Sequence, residues 1–145
     1  MRKSLTIRQA GHADAHTIAR LSSELGYPAD DRQMEERIEV LKASSDDAVL
    51  VAEVDGHTVG WTHVTVLRGL EHDPRAELHG LVVSEERHGE GIGRALMDAA
   101  ETWAREKGMD ILRLRTNTVR KGAHAFYERL GYEKVKEQRV YQKPL

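Results

Sequence analysis

The chain has 145 residues, the size of one domain, because two pieces of half that length would each bury too little surface to hold a core. Its 22 lysines and arginines are balanced by 24 aspartates and glutamates, so no excess of positive charge marks a nucleic-acid footprint. Cysteine is absent, which excludes disulfides, thiolate metal sites and a cysteine nucleophile together, and no apolar run approaches the ~20 residues of a membrane span. A single soluble, cytoplasmic domain spanning 1–145, with no nucleic-acid or membrane partner, is the expectation.

"SLTIRQA" predicts a first strand with Leu5 and Ile7 on one face. "GHADAHTIARLSSELG" predicts a helix: Ile18, Ala19, Leu21 and Leu25 recur at helical spacing, Asp14 lies in the first turn where the dipole favours an anion, and Gly26 supplies the stop. His12 and His16 have the spacing of a metal pair, but no third ligand is placed to complete a site, so no metal is expected there. In "YPADDRQMEERIEVLKASS", Met34, Ile38 and Leu41 define a second, partly exposed helix with an acidic start.

"AVLVAEVDGHTVGWTHVTVL" holds two β-rich runs around Asp55-Gly56, a dipeptide favoured in tight hairpins. After a turn-rich segment, "ELHGLVV" predicts another strand, with Gly80 a candidate bulge or site of close backbone approach. Residues 87–94, "RHGEGIGR", follow directly. Beyond them Ile92, Leu96, Ala99, Ala100 and Trp103 form an apolar stripe stopped by Gly108. "DILRLRT" alternates as a strand, "GAHAFYERLG" is a short helix closed by Gly131, and "YEKVKEQRVYQKPL" predicts one or two further strands. Strands interleaved with helices around an antiparallel hairpin indicate a mixed α/β sheet.

A strand that ends in glycines and launches a helix directs backbone N–H groups and the positive helix end at one spot, which suits a phosphate or pyrophosphate. The dinucleotide fingerprint fails, because from Gly91 and Gly93 its third glycine falls on Leu96. The Walker pattern fails as well, since no Lys-Ser/Thr pair follows the glycines. Three alternating glycines flanked by Arg87 and Arg94 exceed what a plain turn requires.

"LVVSEERHGEGIGRALMDAAE" resembles the acetyl-CoA loop of the GCN5-related N-acetyltransferases (GNAT), whose pattern is Arg/Gln-x-x-Gly-x-Gly/Ala at the head of the central helix. "AHAFYERLGY" is similar to the same family's later segment, and the order and separation of the two motifs match. The resemblance implies a GNAT fold: a mixed, mostly antiparallel sheet of six to seven strands, helices on both faces, and a V-shaped split at the cofactor strand. It implies acetyl-CoA as co-substrate, with pyrophosphate on His88, Gly89, Glu90, Gly91, Ile92, Gly93 and Arg94, and pantetheine pairing with the backbone of Leu81 and Val83. Two departures stand out. His88 occupies the position where the family prefers Arg or Gln, and a histidine beside pyrophosphate would make cofactor affinity pH-sensitive. The asparagine usual seven residues before the tyrosine is replaced by Arg120, leaving Asn117 or Arg120 beside the pantetheine arm.

Amine acetylation requires an ammonium to lose a proton and a thiolate to gain one. The resemblance assigns the second role to Tyr127. For the first, Glu77 and His79 share one face of an unbroken strand, and a water relay without a single base is the alternative. The backbone N–H of Val82 is the expected donor to the acetyl carbonyl. The resemblance implies a primary amine as acceptor, in a small molecule or a peptide. Asp30, Asp31, Glu35, Glu36, Glu71 and Asp73 either form a solvated acidic face or select a cationic acceptor such as a polyamine or an aminoglycoside. Members of such a family often form homodimers, and the β-rich tail offers strands to pair or exchange.

Overall fold

The computed structural model describes residues 4–24, 26–116, 118–119 and 121–145. The chain forms two compact units, Met1–Leu114 and Arg115–Leu145. In the first, β1 (Leu5–Gln9), α1 (Ala15–Glu24), α2 (Asp31–Lys42), β2 (Asp47–Val54), β3 (His57–Leu67), β4 (Arg75–Val83), α3 (Ile92–Glu106) and β5 (Leu112–Leu114) follow one another. The sheet runs β1-β2-β3-β4-β5, antiparallel except for the parallel pair β4 and β5. Asp55 and Gly56 close the β2–β3 hairpin with φ of 51° and 82°, the two left-handed residues of a tight turn whose twist suits a hairpin.

Period-two alternation splits the sheet into two buried faces. On one, Val51 packs with Ala10, Ala15, Ile18, Ala19, Met34 and Ile38, flanked by Val49 and Trp61, so α1 and α2 cover this side. On the other, α3 lies over Gly60, where a β-carbon would stand 3.2 Å from Leu96 Cδ1 and 3.4 Å from Ile92 Cγ2. The buried stripe of α3 is Ile92, Leu96, Met97, Ala100 and Ala104. It is rotated from the predicted one: Trp103 stands at the rim, half-buried, with Lys107 Nζ 5.6 Å above its ring. Small side chains let the helix approach the sheet, and the indole is too large for that line.

Asp30 caps α2 through a reciprocal pair with Gln33, its carboxylate accepting from Gln33 N at 2.8 Å. His16 and His12 meet carboxylates of that helix: His16 Nδ1 lies 2.9 Å from Asp31, and His12 lies 3.7 and 3.8 Å from Glu35 and Glu39. Leu25, expected in the stripe of α1, lies outside the described residues.

The second unit contains α4 (Lys121–Arg129), closed by Gly131 at φ 93°. The described residues contain five strands, fewer than the six to seven expected. The tail "YEKVKEQRVYQKPL" forms no ladder, and Val135, Val140 and Tyr141 are exposed. Alternation supplies a segment with two faces but not with a hydrogen-bonding neighbour, and without one there is no strand.

Asp14 does more than serve the helix dipole. It is buried in a 3-10 turn (His12–Asp14) and accepts both Arg8 guanidinium nitrogens at 2.8 and 2.7 Å, together with Gly11 N at 2.7 Å. Arg8 also donates to Glu53 at 2.6 Å, so one guanidinium ties the entry of α1 to β1 and β2. The hydrogen bonds from Arg8, opposed by burial, hold the Asp14 carboxyl below its ordinary 3.8. Because the folded value is the depressed one, the stabilisation is complete above about pH 4 and is lost as pH falls through the folded value. Asp14→Asn is expected to lower unfolding free energy by about 1–2 kcal/mol at neutral pH, at the low end because Arg8 is part-exposed. The gap to the wild type should narrow only below about pH 4, read from urea titrations at successive pH values.

Candidate active site

β4 carries one residue more than β3 opposite it: Val64 pairs with Leu78, but His63 pairs with Gly80. His79 and Gly80 together therefore face His63, and Gly80 is both the predicted bulge and a point of close approach. A β-carbon there would lie 2.8 and 3.0 Å from two ring carbons of Trp61. The Gly80 carbonyl accepts from the buried Thr62 hydroxyl at 2.6 Å.

The bulge shifts the hydrogen-bonding phase of the strand. Before it, Ala76 N–H points to β5, donating to Ile111 O at 3.0 Å. After it, Ser84 N–H points to β3, donating to Val59 O at 2.8 Å. Antiparallel alternation then directs Val82 to β3 and turns the backbone groups of Leu81 and Val83 away from it. This corrects the expectation for Val82, whose N–H belongs to the ladder. Pairing between β4 and β5 covers Ala76–Leu78 alone, so in the sheet of described residues Leu81 and Val83 have no strand on their outer side.

The glycine loop starts where β4 stops. A 3-10 turn (Glu85–Arg87) leads to Gly89 and Gly91 at φ 85° and 81°, conformations costing an ordinary L-residue roughly 1–2 kcal/mol each. Gly91 is the N-cap of α3, so the first N–H groups of that helix have no capping side chain on it and are offered at the loop. Arg94, Glu90 and Gly89 are exposed, Gly93 is half-buried and Ile92 anchors the turn in the core. His88 Nε2–H donates to Val83 O at 3.1 Å, which pins the loop to the outward side of β4.

Glu77 and His79 do share a face, with His79 Nε2 3.8 Å from Glu77 Oε1. Their exposures differ sharply: the Glu77 side chain is 2% exposed and lies 3.8 Å from Arg75, whereas His79 is 43% exposed. The register adds two residues that sequence reasoning missed. His63 stacks edge to face on His79 and its Nε2 meets Asp47 Oδ1 at 2.8 Å. Burial raises the Asp47 carboxyl, but hydrogen bonds from His63, Ser44 and Thr65 outweigh it and hold the group below its ordinary range. In the second unit, Tyr127 lies on α4 with its ring edge to face against Phe126 and Tyr132, centroids 5.1 and 6.1 Å apart. Asn117 and Arg120 lie outside the described residues. Of the acidic candidates, Asp31, Glu35 and Glu36 face His16, His12 and Arg32 of the same chain.

An anion cradle at the head of a helix, fed by a strand with an outward backbone edge, is the layout of an acyl-CoA-dependent transferase, and comparison with known proteins agrees. Residues 15–132 match the acetyltransferase (GNAT) family. The chain is 33% identical to aminoglycoside N(6')-acetyltransferase type 1 of Stenotrophomonas maltophilia, over 97% of this chain and 94% of that protein. It is 32% identical to the uncharacterized N-acetyltransferase YjgM of Escherichia coli, over 88% and 78%. The solved structure of aminoglycoside N-acetyltransferase AAC(6')-Iy in complex with CoA has a TM-score of 0.88 at 19% identity, covering 100% of this chain and 98% of that one. The chain belongs to the GNAT family and is an acetyltransferase, an enzyme class whose acyl donor is acetyl-CoA.

Gly80→Ala tests the bulge. The new methyl meets the body of a packed indole rather than a flexible chain end, so unfolding free energy should fall by about 1–3 kcal/mol in denaturant titrations. A variant as stable as the wild type would show that Trp61 does not fill this position.

Proposed function

We propose that the chain acetylates a primary amine, in a cationic small molecule such as an aminoglycoside or polyamine or in a peptide, by direct attack in a ternary complex. The observation that carries this reading is the meeting of an outward backbone edge, Leu81 and Val83, with a left-handed glycine loop at the head of α3. Acetyl-CoA supplies an activated acyl group. Its pantetheine adds to the sheet through Leu81 and Val83, beyond the end of the β4–β5 pairing, and its pyrophosphate rests on the N–H groups of residues 88–94. The Val83 carbonyl has two lone pairs, so the contact with His88 leaves one for this pairing. With Val82 engaged by β3, the donor toward the acetyl oxygen passes to the outward N–H of Leu81.

The acceptor must present a neutral nitrogen. His79, the exposed member of the pair, is the group that meets it, with the buried Glu77 carboxylate 3.8 Å behind its Nε2. Tyr127 keeps the role the family motif gives it, proton donor to the departing sulfur.

Acetyl-CoA at a hundred times its dissociation constant should raise stability by about 2.7 kcal/mol, with no comparable effect from ATP or NAD. Thiol release over an amine panel should find an acceptor, and Tyr127→Phe should lower kcat about 100-fold. Stabilisation by ATP or NAD but not acetyl-CoA overturns the assignment. Stabilisation by acetyl-CoA without turnover of any amine makes the chain a CoA-binding module instead.

A further inference from the structure

Two carboxylate–imidazole pairs face each other across three strands. His63 Nε2 lies 2.8 Å from Asp47 Oδ1, and His79 Nε2 lies 3.8 Å from Glu77 Oε1. The two rings meet edge to face, centroids 5.2 Å apart and planes at 80°. Access is graded: side-chain exposure is 15% for Asp47 and 17% for His63, against 43% for His79. His79 is the ring more open to solvent, and His63 is the more buried ring against it.

In both pairs Nε2 is the nitrogen turned to the carboxylate. At 2.8 Å the Asp47 carboxylate holds the His63 ring hydrogen on Nε2 and leaves its Nδ1 lone pair free in the neutral ring; Glu77, at 3.8 Å, is beyond hydrogen-bond reach of His79, whose exposed ring can take a proton at Nδ1. Asp47 is itself fixed, since Ser44 Oγ donates to its second oxygen at 2.7 Å. Partly buried ion pairs seldom stabilise a fold more than apolar packing would, so packing alone does not account for the array.

Resting on the acetyl-transfer reading above, we propose that Asp47, His63, His79 and Glu77 form a two-station proton relay for the acceptor amine. His79 accepts a proton from the ammonium at Nδ1, and a bridging water carries one on to His63 Nδ1, where Asp47 stabilises the imidazolium. The neutral nitrogen then bonds to the acetyl carbon and the carbon–sulfur bond breaks. The nitrogen's second proton balances the one that the thiolate takes up, and His63 returns its proton to solvent, so one proton is released per transfer. The relay runs only when both rings start neutral. Among the described residues the charged groups against the rings are Asp47 on β2 and Glu77, with Arg75, on β4.

The test is steady-state thiol release by the full chain at saturating acetyl-CoA, with an amine the wild type accepts, from about pH 5 to 9, the range that brackets the ordinary histidine titration. His63→Gln should lower kcat about 100-fold while the KM for acetyl-CoA and its thermal stabilisation stay unchanged. On the acidic limb, log kcat should rise with a slope of about two in the wild type and about one in His63→Gln, because two coupled protons become one. Asp47→Asn, which keeps an acceptor for Nε2–H but not the charge, should lower kcat about 10-fold and retain the steeper slope. An unchanged kcat in His63→Gln, or a lowered kcat with the wild-type slope, overturns the relay. If His63→Gln does not fold, His79→Gln reads the same change of slope, and a slope that stays near two there also overturns it. Absence of turnover in the wild type is a different outcome, which removes the acetyl-transfer reading and the relay with it.

Discussion

The single extra residue in β4 sets the phase of everything around it. Upstream, Ala76 gives its N–H to the β5 side; downstream, Ser84 gives its N–H to β3, so the outward backbone groups have moved from even to odd positions. A regular strand would turn Val82 outward and bury the hydrogen-bonding edges of Leu81 and Val83 in the ladder. The same insertion places His79 and Gly80 together opposite His63. One half of the bulge meets an imidazole and the other lies under an indole. The edge available to a cofactor and the polar array on the α1–α2 face thus have one origin.

Two physical causes stand behind the glycines of this region, and they are separable. At Gly89 and Gly91 the constraint is the backbone itself, φ above 80°, and no neighbour limits the space where a side chain would go. At Gly80 the backbone is ordinary and the constraint is the volume occupied by Trp61. The first kind bares N–H groups, and the second lets an aromatic ring cross the strand. A substitution at the loop therefore strains local conformation, whereas one at the bulge displaces a ring that also belongs to the α1–α2 core.

What the sequence disclosed follows the range of the interactions concerned. The Asp55-Gly56 hairpin, the helix over 31–42 and the glycine loop are local, and local chemistry specifies them. Gly80 is recognisable in the sequence as an irregular position, but the direction of the phase shift depends on which residue of β3 it faces, so the sequence alone points to Val82 as the donor where the register turns Val82 to β3. Asp47 and His63 carry no signal in the chain: they are 16 residues apart and meet only through the hairpin register. The tail is the converse case: its alternation offers two faces, but among the described residues no strand pairs with it.

The α1–α2 face of the sheet is divided along its length. Around Val51, Val49 and Trp61 it is an apolar core, and from His63, opposite Val49, onward it becomes Asp47, Thr65 and Glu77. Burying ionisable groups is costly unless each meets a partner, and the strands provide partners in series: Ser44 and His63 for Asp47, Arg75 and His79 for Glu77. Removing one member leaves the next charge uncompensated, which couples the array more tightly than any of its distances alone would suggest. Arg8 and Asp14, elsewhere in the same unit, are paired for a structural end, joining β1 to the turn before α1. The difference lies in chemistry rather than burial: a guanidinium keeps its proton throughout the physiological range and can only hold a carboxylate in place, whereas an imidazole in the same position can also exchange one.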